Sequence, residues 1–323
     1  MVLNRINMTD RIIRKINIHP EYSSEQKRII SNCLIEYAHV HSPHLEIHEE
    51  LMGDFPETNE ELVFIRDNLR NAWDYLENEG ISLGTLAVLG NKIAPKRHPY
   101  ANFRSGSGSE VTHTGFVAPE SAQVPYLMKD FFDYLNVTRD HPILRSIEAH
   151  IELVRIHPYL DGNHRSARIL QNFCLYSRGY PPLVITEDDR ETYLTLLHDT
   201  LRDRYDLSSS LLFPSTSENN FREFMVGKIF ESANSLDENL RSRRVYSVKV
   251  NSVDSKGLVN ILARNIRGRI KSHNDSPKVD INNEGGKSYV LDIVGDISAR
   301  ELRRLVGTFS DKHNLDFEVV SVI

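Results

Sequence analysis

The period of the apolar residues changes once along this chain, near residue 240, and that change rules out a single uniform fold. From the N-terminus to that point, apolar positions recur every three to four residues over 24–40, 59–77, 81–92, 123–135, 141–156, 164–178, 187–202 and 219–238. Such spacing gathers them on one face of a helix, so this part reads as all-α. Thr58 followed by Glu61 forms a capping-box start, and Pro125 falls in a first helical turn, where its missing N–H does no harm.

After Arg241-Ser-Arg-Arg244 a different order begins. Val245–Val250 alternates as a strand, and Leu258, Leu262 and Ile266 mark a helix. Val279–Ile281 and Tyr289–Val294 read as two strands around an Asn-Asn-Glu-Gly-Gly turn. Leu302, Leu305, Val306 and Phe309 mark a second helix, and Phe317–Val322 a last strand. The order βαββαβ is that of the ferredoxin-like split βαβ unit, an α+β arrangement.

At 323 residues the chain has room for more than one core. Apolar residues make up 40% and charged residues 26%, and the net charge of -6 comes from acids and bases mixed along the chain, so nucleic acid is not announced as a partner. The start, Met1 to Asp10, has no apolar signal core, and no stretch approaches the ~20 apolar residues of a membrane span. A soluble protein is expected, with no membrane partner. Cys33 and Cys174 both sit in helix-like apolar patterns, which argues against a disulfide framework and for a reducing, cytoplasmic setting. Export as an effector without a cleaved signal stays open. His39, His41, His44 and His48, with Glu49 and Glu50, run through Pro43 and match no metal-ligand spacing, so they read as wet surface.

Two stretches break the helical part. Asn102 to Pro119 carries glycine and serine ahead of a short β-branched run, and reads as a loop with a small hairpin or as an ordinary flexible connection. An unpaired strand edge there would template an incoming extended peptide. The second stretch is His157-Pro-Tyr-Leu-Asp-Gly-Asn-His-Arg-Ser-Ala-Arg168, a short loop between two apolar-periodic runs. It delivers His157 at one helix end and opens the next helix near Asn163. A helix N-terminus suits a polyphosphate, and Arg165 and Arg168, three apart, add two guanidinium forks to one face. Asp161 can hold Mg2+ through its carboxylate, with phosphates supplying further ligands. His157, with an ordinary pKa of ~6.5, suits proton abstraction from a hydroxyl near neutral pH. Base, metal ligand, anion nest and two arginines make a phosphoryl- or nucleotidyl-transfer site.

This segment resembles the Fic signature, His-x-Phe-x-Asp/Glu-Gly-Asn-Gly-Arg-x-x-Arg, at His157, Asp161, Gly162, Asn163, Arg165 and Arg168, with Tyr159 for Phe. Ala149-His150, Arg190-Glu-Thr-Tyr193 and the Gly/Ser-rich flap occur where Fic proteins have comparable features, so the resemblance covers roughly 81–235. It implies a mainly α Fic-type core with a small β-hairpin flap, and protein adenylyltransferase activity: AMP moves from ATP to a Ser, Thr or Tyr hydroxyl of a target protein. His157 would be the general base and Asp161 the Mg2+ ligand. Gly162, Asn163 and His164 would offer backbone amides to the phosphates, Arg165 would hold the β-phosphate and Arg168 the γ-phosphate. The flap residues Val111, Thr112, His113, Thr114 and Gly115 would align the target, and Tyr193 would line the nucleotide pocket.

His164 departs from the family, which usually has glycine here. A side chain there is neutral, adds a donor to the phosphates, or disables the site. The Doc branch places lysine at this position and transfers a terminal phosphate, so phosphotransfer is the alternative activity, and a non-catalytic nucleotide- or partner-binding scaffold is the other. Arg168, which Doc-like proteins lack, favours AMP transfer. The inhibitory helix of many Fic proteins, Ser/Thr-x-x-x-Glu-Gly/Asn, has its nearest counterpart in Asn234-Ser-Leu-Asp-Glu238-Asn239, where Glu238 would be inhibitory or a plain surface residue. The expected division is 1–80 as an N-terminal helical region, 81–240 as the Fic catalytic core and 245–323 as an accessory domain. Although Arg264, Arg267, Arg269 and Lys271 are basic, strand Tyr289–Val294 lacks stacked aromatics, so partner binding, dimerisation or ligand sensing is preferred over RNA. The target protein is not named by the sequence, self-modification is one target, and homo-oligomerisation is open.

Overall fold

The computed structural model describes residues 1–18, 35, 38, 42, 59–105, 110–111, 116–206, 214–242, 245–251, 256–270, 278–285, 288–295, 297–313 and 315–322. Most of the helix expected over 24–40, the cap residue Thr58 and His39, His41, His44 and His48 lie outside the described residues. Two compact units divide the chain: Met1–Arg11 with Ser31–Ala233, and Ile12–Ile30 with Asn234–Ile323.

The described helices of the helical part are α1 (Val2–Ile18), α2 (Asn59–Glu79), α3 (Leu83–Ile93), α4 (Val124–Val137), α5 (Pro142–Ile156), α6 (Asn163–Tyr176), α7 (Arg190–Asp206) and α8 (Thr216–Ser242), and the boundary between the units falls within α1 and α8. The helical periodicity survives because these helices are amphipathic around one core: Leu69, Trp73, Leu86, Leu89, Met128, Phe131, Ile147, Leu153, Leu197 and Phe221 share it. Pro125 sits in the first turn of α4. Ser82 and Thr85 close a capping box on α3, a start that takes two backbone donors out of the unsatisfied set.

Helix α6 differs from the rest. Asn163 through Leu175 are all buried, polar and apolar alike, so it runs through the interior instead of lying on it. Its neighbour α3 meets the loop ahead of α6 through Gly90: a Cβ there would lie 2.3 Å from Cδ1 of Tyr159, so only glycine admits the tyrosine ring. The flap is present as an antiparallel pair, β1 (Glu110–Val111) with β2 (Phe116–Val117), Val111 facing Phe116. Thr112, His113, Thr114 and Gly115 lie outside the described residues.

A partly buried ionic cluster ties α5, α7 and α8. Arg204 on α7 bonds Glu148 at 2.8 Å and Glu152 at 2.5 Å on α5, and Glu218 at 3.0 Å on α8. Arg222 meets Glu218 at 2.5 Å, and Arg155 holds Glu152 at 2.7 Å. Burial pushes the Glu152 carboxyl up, but the hydrogen bond and charge of Arg155, together with Arg204, outweigh it and hold its pKa below the ordinary value. Glu152 therefore stabilises the fold above its ordinary carboxylate range and loses that contribution as the pH falls through its lowered pKa.

In the second unit, β3 (Val245–Asn251), α9 (Lys256–Arg267), β4 (Lys278–Gly285), β5 (Ser288–Val294), α10 (Ala299–His313) and β6 (Asp316–Val322) follow one another. The strands lie in the order β4-β5-β3-β6, every neighbour antiparallel. Alternation along β5 puts Tyr289, Leu291 and Ile293 on one face, where they join Tyr246, Val248 and Val250 of β3 and the buried Leu262, Ile266, Leu302 and Val306 of the two helices. Among the described residues no helix is long and apolar enough to cross a membrane.

Two outcomes follow from this packing. Arg204→Met takes the shared partner from three buried or partly buried carboxylates and is expected to cost about 2–4 kcal/mol in urea unfolding. Gly90→Ala forces the ring of Tyr159 out of its seat and is expected to cost about 1–3 kcal/mol, read as a lowered melting temperature.

Candidate active site

The loop between α5 and α6 is shaped by two residues with positive φ. His157 ends α5 at φ 52 and ψ 56, the one non-glycine residue with positive φ among the described residues. Gly162 precedes α6 at φ 80, with Ile93 and Ala94 close enough that a Cβ would meet them at 3.0 and 3.3 Å. Between them the Asn163 side chain closes the loop on Tyr159: its Oδ1 accepts the Tyr159 N–H at 2.9 Å and its Nδ2 donates to the Tyr159 carbonyl at 3.0 Å. Tyr159 in turn donates its hydroxyl to the Leu86 carbonyl at 2.5 Å. Asn163 thus has a side-chain role that spacing alone did not indicate, beyond the expected backbone one.

Two residues outside the motif hold this loop. Buried His98 accepts the Leu160 N–H on Nδ1 at 3.3 Å and meets the Asn102 carbonyl through Nε2 at 2.8 Å, which assigns the proton to Nε2. Burial holds its pKa down, against the Asn102 carbonyl and the Asp161 charge. Buried Arg104 donates from Nε to the His157 carbonyl at 2.7 Å and from Nη2 to the Pro119 carbonyl, while its own N–H donates to the Pro158 carbonyl at 2.8 Å. Neither was singled out in the sequence. The available signal for Arg104 was one arginine at the head of the Gly/Ser-rich stretch.

The ring of His157 differs from the sequence expectation. Burial lowers its pKa to about 4, assisted by the Arg104 charge and opposed by the Val154 carbonyl and by Asp161, so it is neutral well below the ordinary histidine range. The correction arises because the fold takes the ring largely out of solvent, which spacing does not reveal. The His164 ring centroid lies 6.5 Å away, and His164 is 8% exposed. Neither of its ring nitrogens has a hydrogen-bond partner among the described residues. Burial, then the charges of Arg168, His157, His198 and Arg165, hold its pKa well below the ordinary value.

Asp161 faces Arg165 at 3.2 Å and, more loosely, Arg97 at 3.9 Å, and its Oδ1 accepts the Gly162 N–H at 2.5 Å. That amide is therefore occupied by Asp161. The first-turn amides that follow it lack intrahelical partners, as at any helix start. Asp161 is a hard oxygen donor with partial exposure, and no group of three or more metal-ligating side chains occurs among the described residues. That donor set fits a cation such as Mg2+, which keeps waters and phosphate oxygens as most of its ligands.

Arg168 is buried, with Nε on the Ser42 hydroxyl at 2.9 Å and Nη2 on the Ser42 carbonyl at 2.9 Å. Ser42 was another residue that sequence reasoning missed. A cavity borders this pair, lined by Ser42, Arg168, Ile169, Asn172, Leu183 and Ile185 among others. Tyr193 lies in the core, its hydroxyl 3.0 Å from Nε2 of the buried His150 and its ring edge-on to it, and it is not among the residues lining that cavity. Glu238 is exposed on α8, beside Asp237, which pairs with Lys15 at 3.0 Å. His157, Asp161, Gly162, Asn163, His164 and Arg165 are thus gathered around one loop, with Arg168 one turn further along α6.

The family model described as Fic/DOC family matches residues 42–175. The chain is 40% identical over 86 residues to a protein adenylyltransferase Fic of Drosophila willistoni, covering 26% of this chain and 17% of that protein. It is 30% identical over 155 residues to a protein adenylyltransferase Fic of Nematostella vectensis, covering 47% of this chain and 34% of that one. The matched stretches therefore span about a third or less of those relatives' own lengths. A Fic domain containing signaling protein from Bacteroides thetaiotaomicron shares the fold at a TM-score of 0.57 and 20% identity, covering 73% of this chain and 97% of that one. Residues 42–175 of this chain thus form a Fic domain.

Proposed function

We propose that this protein transfers AMP from ATP to a serine, threonine or tyrosine hydroxyl of a protein target. The observation that carries the reading is the convergence of a neutral, partly buried histidine, one carboxylate and two buried arginines on the loop that starts α6. A neutral imidazole can take a proton; guanidiniums and first-turn amides favour a polyphosphate. The adenylyltransferase names of the two relatives support AMP as the transferred group.

In this mechanism the target hydroxyl oxygen attacks the α-phosphorus, His157 takes the hydroxyl proton, and the bond from the α-phosphorus to the bridging oxygen breaks to release pyrophosphate. Amides of Asn163 and His164, with Arg165 and Arg168, hold the β- and γ-phosphates so that the α-phosphate faces the base. Mg2+ on Asp161, when bound, would neutralise phosphate charge. Val111 and its strand partner would align the target segment by strand addition. In this scheme 81–240 is the catalytic core, preceded by the helical region 1–80. Residues 245–323 form an accessory domain, and the strand order β4-β5-β3-β6 supports its reading as a ferredoxin-like split βαβ unit.

Incubating the full chain with ATP labelled at the α- or the γ-phosphate, with Mg2+, tests the reading through self-modification. Label from the α-position on protein is the expected outcome. Label from the γ-position alone means phosphotransfer, and neither label with nucleotide binding retained means a scaffold. His157→Ala should abolish transfer while ATP still binds, and persistent transfer in that variant rules out His157 as base. The pH profile gives a second check. A base acts unprotonated, so kcat/KM should stay level from pH 8 through 6 and fall only toward pH about 4. A fall centred at the ordinary ~6.5 contradicts the burial of the ring in the free enzyme.

A further inference from the structure

We propose that Arg104 is a positioning residue for the transfer reaction, tying the backbone of His157 to both ends of the 104–119 segment through one buried side chain. This rests on the reading of His157 as the base. The carbonyls of His157 and Pro158 lie beyond the end of α5, where no helical amide follows to bond them, and the left-handed conformation of His157 turns the chain away from the helix. Arg104 supplies both: Nε to His157 at 2.7 Å, and its own amide to Pro158 at 2.8 Å. The other arm of the same guanidinium holds the carbonyl of Pro119, at the far end of the segment that contains β1 and β2.

Arginine is needed because its fork offers separate donors in fixed directions, whereas a lysine ammonium is a single point of charge. A non-glycine residue in the left-handed region persists only where its surroundings over-determine it, and Arg104 is a main contributor to that constraint. The charged and titratable groups near the ring are Arg104 and Asp161 from the loops and His164 from α6.

The test uses the full chain with Arg104→Lys and Arg104→Gln, reading transfer rate at saturating ATP, ATP affinity by calorimetry, melting temperature, and the His157 ring titration by NMR. Both variants are expected to lose about 10- to 100-fold in kcat, the scale of a misplaced catalytic group, with ATP affinity unchanged. In Arg104→Gln the His157 titration should move up from about 4, because a cation that disfavours the imidazolium is gone, while Arg104→Lys keeps the low midpoint. Wild-type turnover together with an unmoved His157 titration in Arg104→Gln overturns the proposal. So does a rate loss matched by lost ATP affinity or by melting, which marks a structural role alone. If His157→Ala still transfers, the reading of the base fails whatever the Arg104 variants do; if it is dead while the Arg104 variants behave as wild type, only the role of Arg104 fails.

Discussion

His157 leaves α5 in a left-handed conformation, φ 52 and ψ 56, which costs a non-glycine residue about 1–2 kcal/mol relative to continuing the helix. That turn sends Pro158 and Tyr159 across α3, not along the axis of α5, and lets Asn163 close the loop by bonding both polar backbone groups of Tyr159. Gly90 makes room for the tyrosine ring, Gly162 supplies the second positive φ, and His98 holds Leu160. Remove the turn and none of these contacts can form together, since each depends on where the chain goes after residue 157. The histidine ring is aimed by the same event that starts α6.

The surroundings of the loop are cationic and largely buried. Arg104, Arg165 and Arg168 are buried, and His150, His157 and His164 are held neutral chiefly by burial, with neighbouring guanidinium charge adding to it. A second proton-bearing cation here would meet both a desolvation cost and repulsion, which is why three imidazoles stay uncharged among arginines. Three carboxylates that are buried or partly buried sit elsewhere: Glu148, Glu152 and Glu218 are taken up by Arg204 and Arg222, on the side where α5, α7 and α8 meet. Acids and bases that mix evenly along the sequence are therefore sorted in the fold into a closed ionic clamp and a cationic site.

The helices were legible because their apolar spacing records one buried face, and the second unit because its period drops to two along β3 and β5. The motif residues were legible because their spacing is local, twelve positions in one loop and the start of one helix. What stayed hidden is contact across sequence distance. Arg104 reaches a carbonyl 53 positions away, and Arg168 reaches Ser42, 126 positions away. Neither arginine nor serine carries any periodic signal that would predict such a partner. The acidity of His157 was hidden for the same reason: an ordinary pKa follows from residue type, whereas the value of about 4 follows from burial produced by residues the spacing does not specify.

His164 shows how little a substitution in a motif says until the side chain's direction is known. Read in sequence, a histidine in place of glycine adds bulk where phosphates approach the backbone. In the fold the residue is 8% exposed and both ring nitrogens are enclosed, so the bulk is carried inward, toward Arg168, His157 and His198, and not left standing in solvent over the helix end. Burying an imidazole without hydrogen bonds costs about 1–3 kcal/mol. That cost is borne beside buried cations, which keep the ring neutral and leave the positive charge of the site on arginines that cannot lose it. The departure from glycine thus changes the interior wall of the site, while a positive φ that the loop requires is supplied two residues earlier by Gly162.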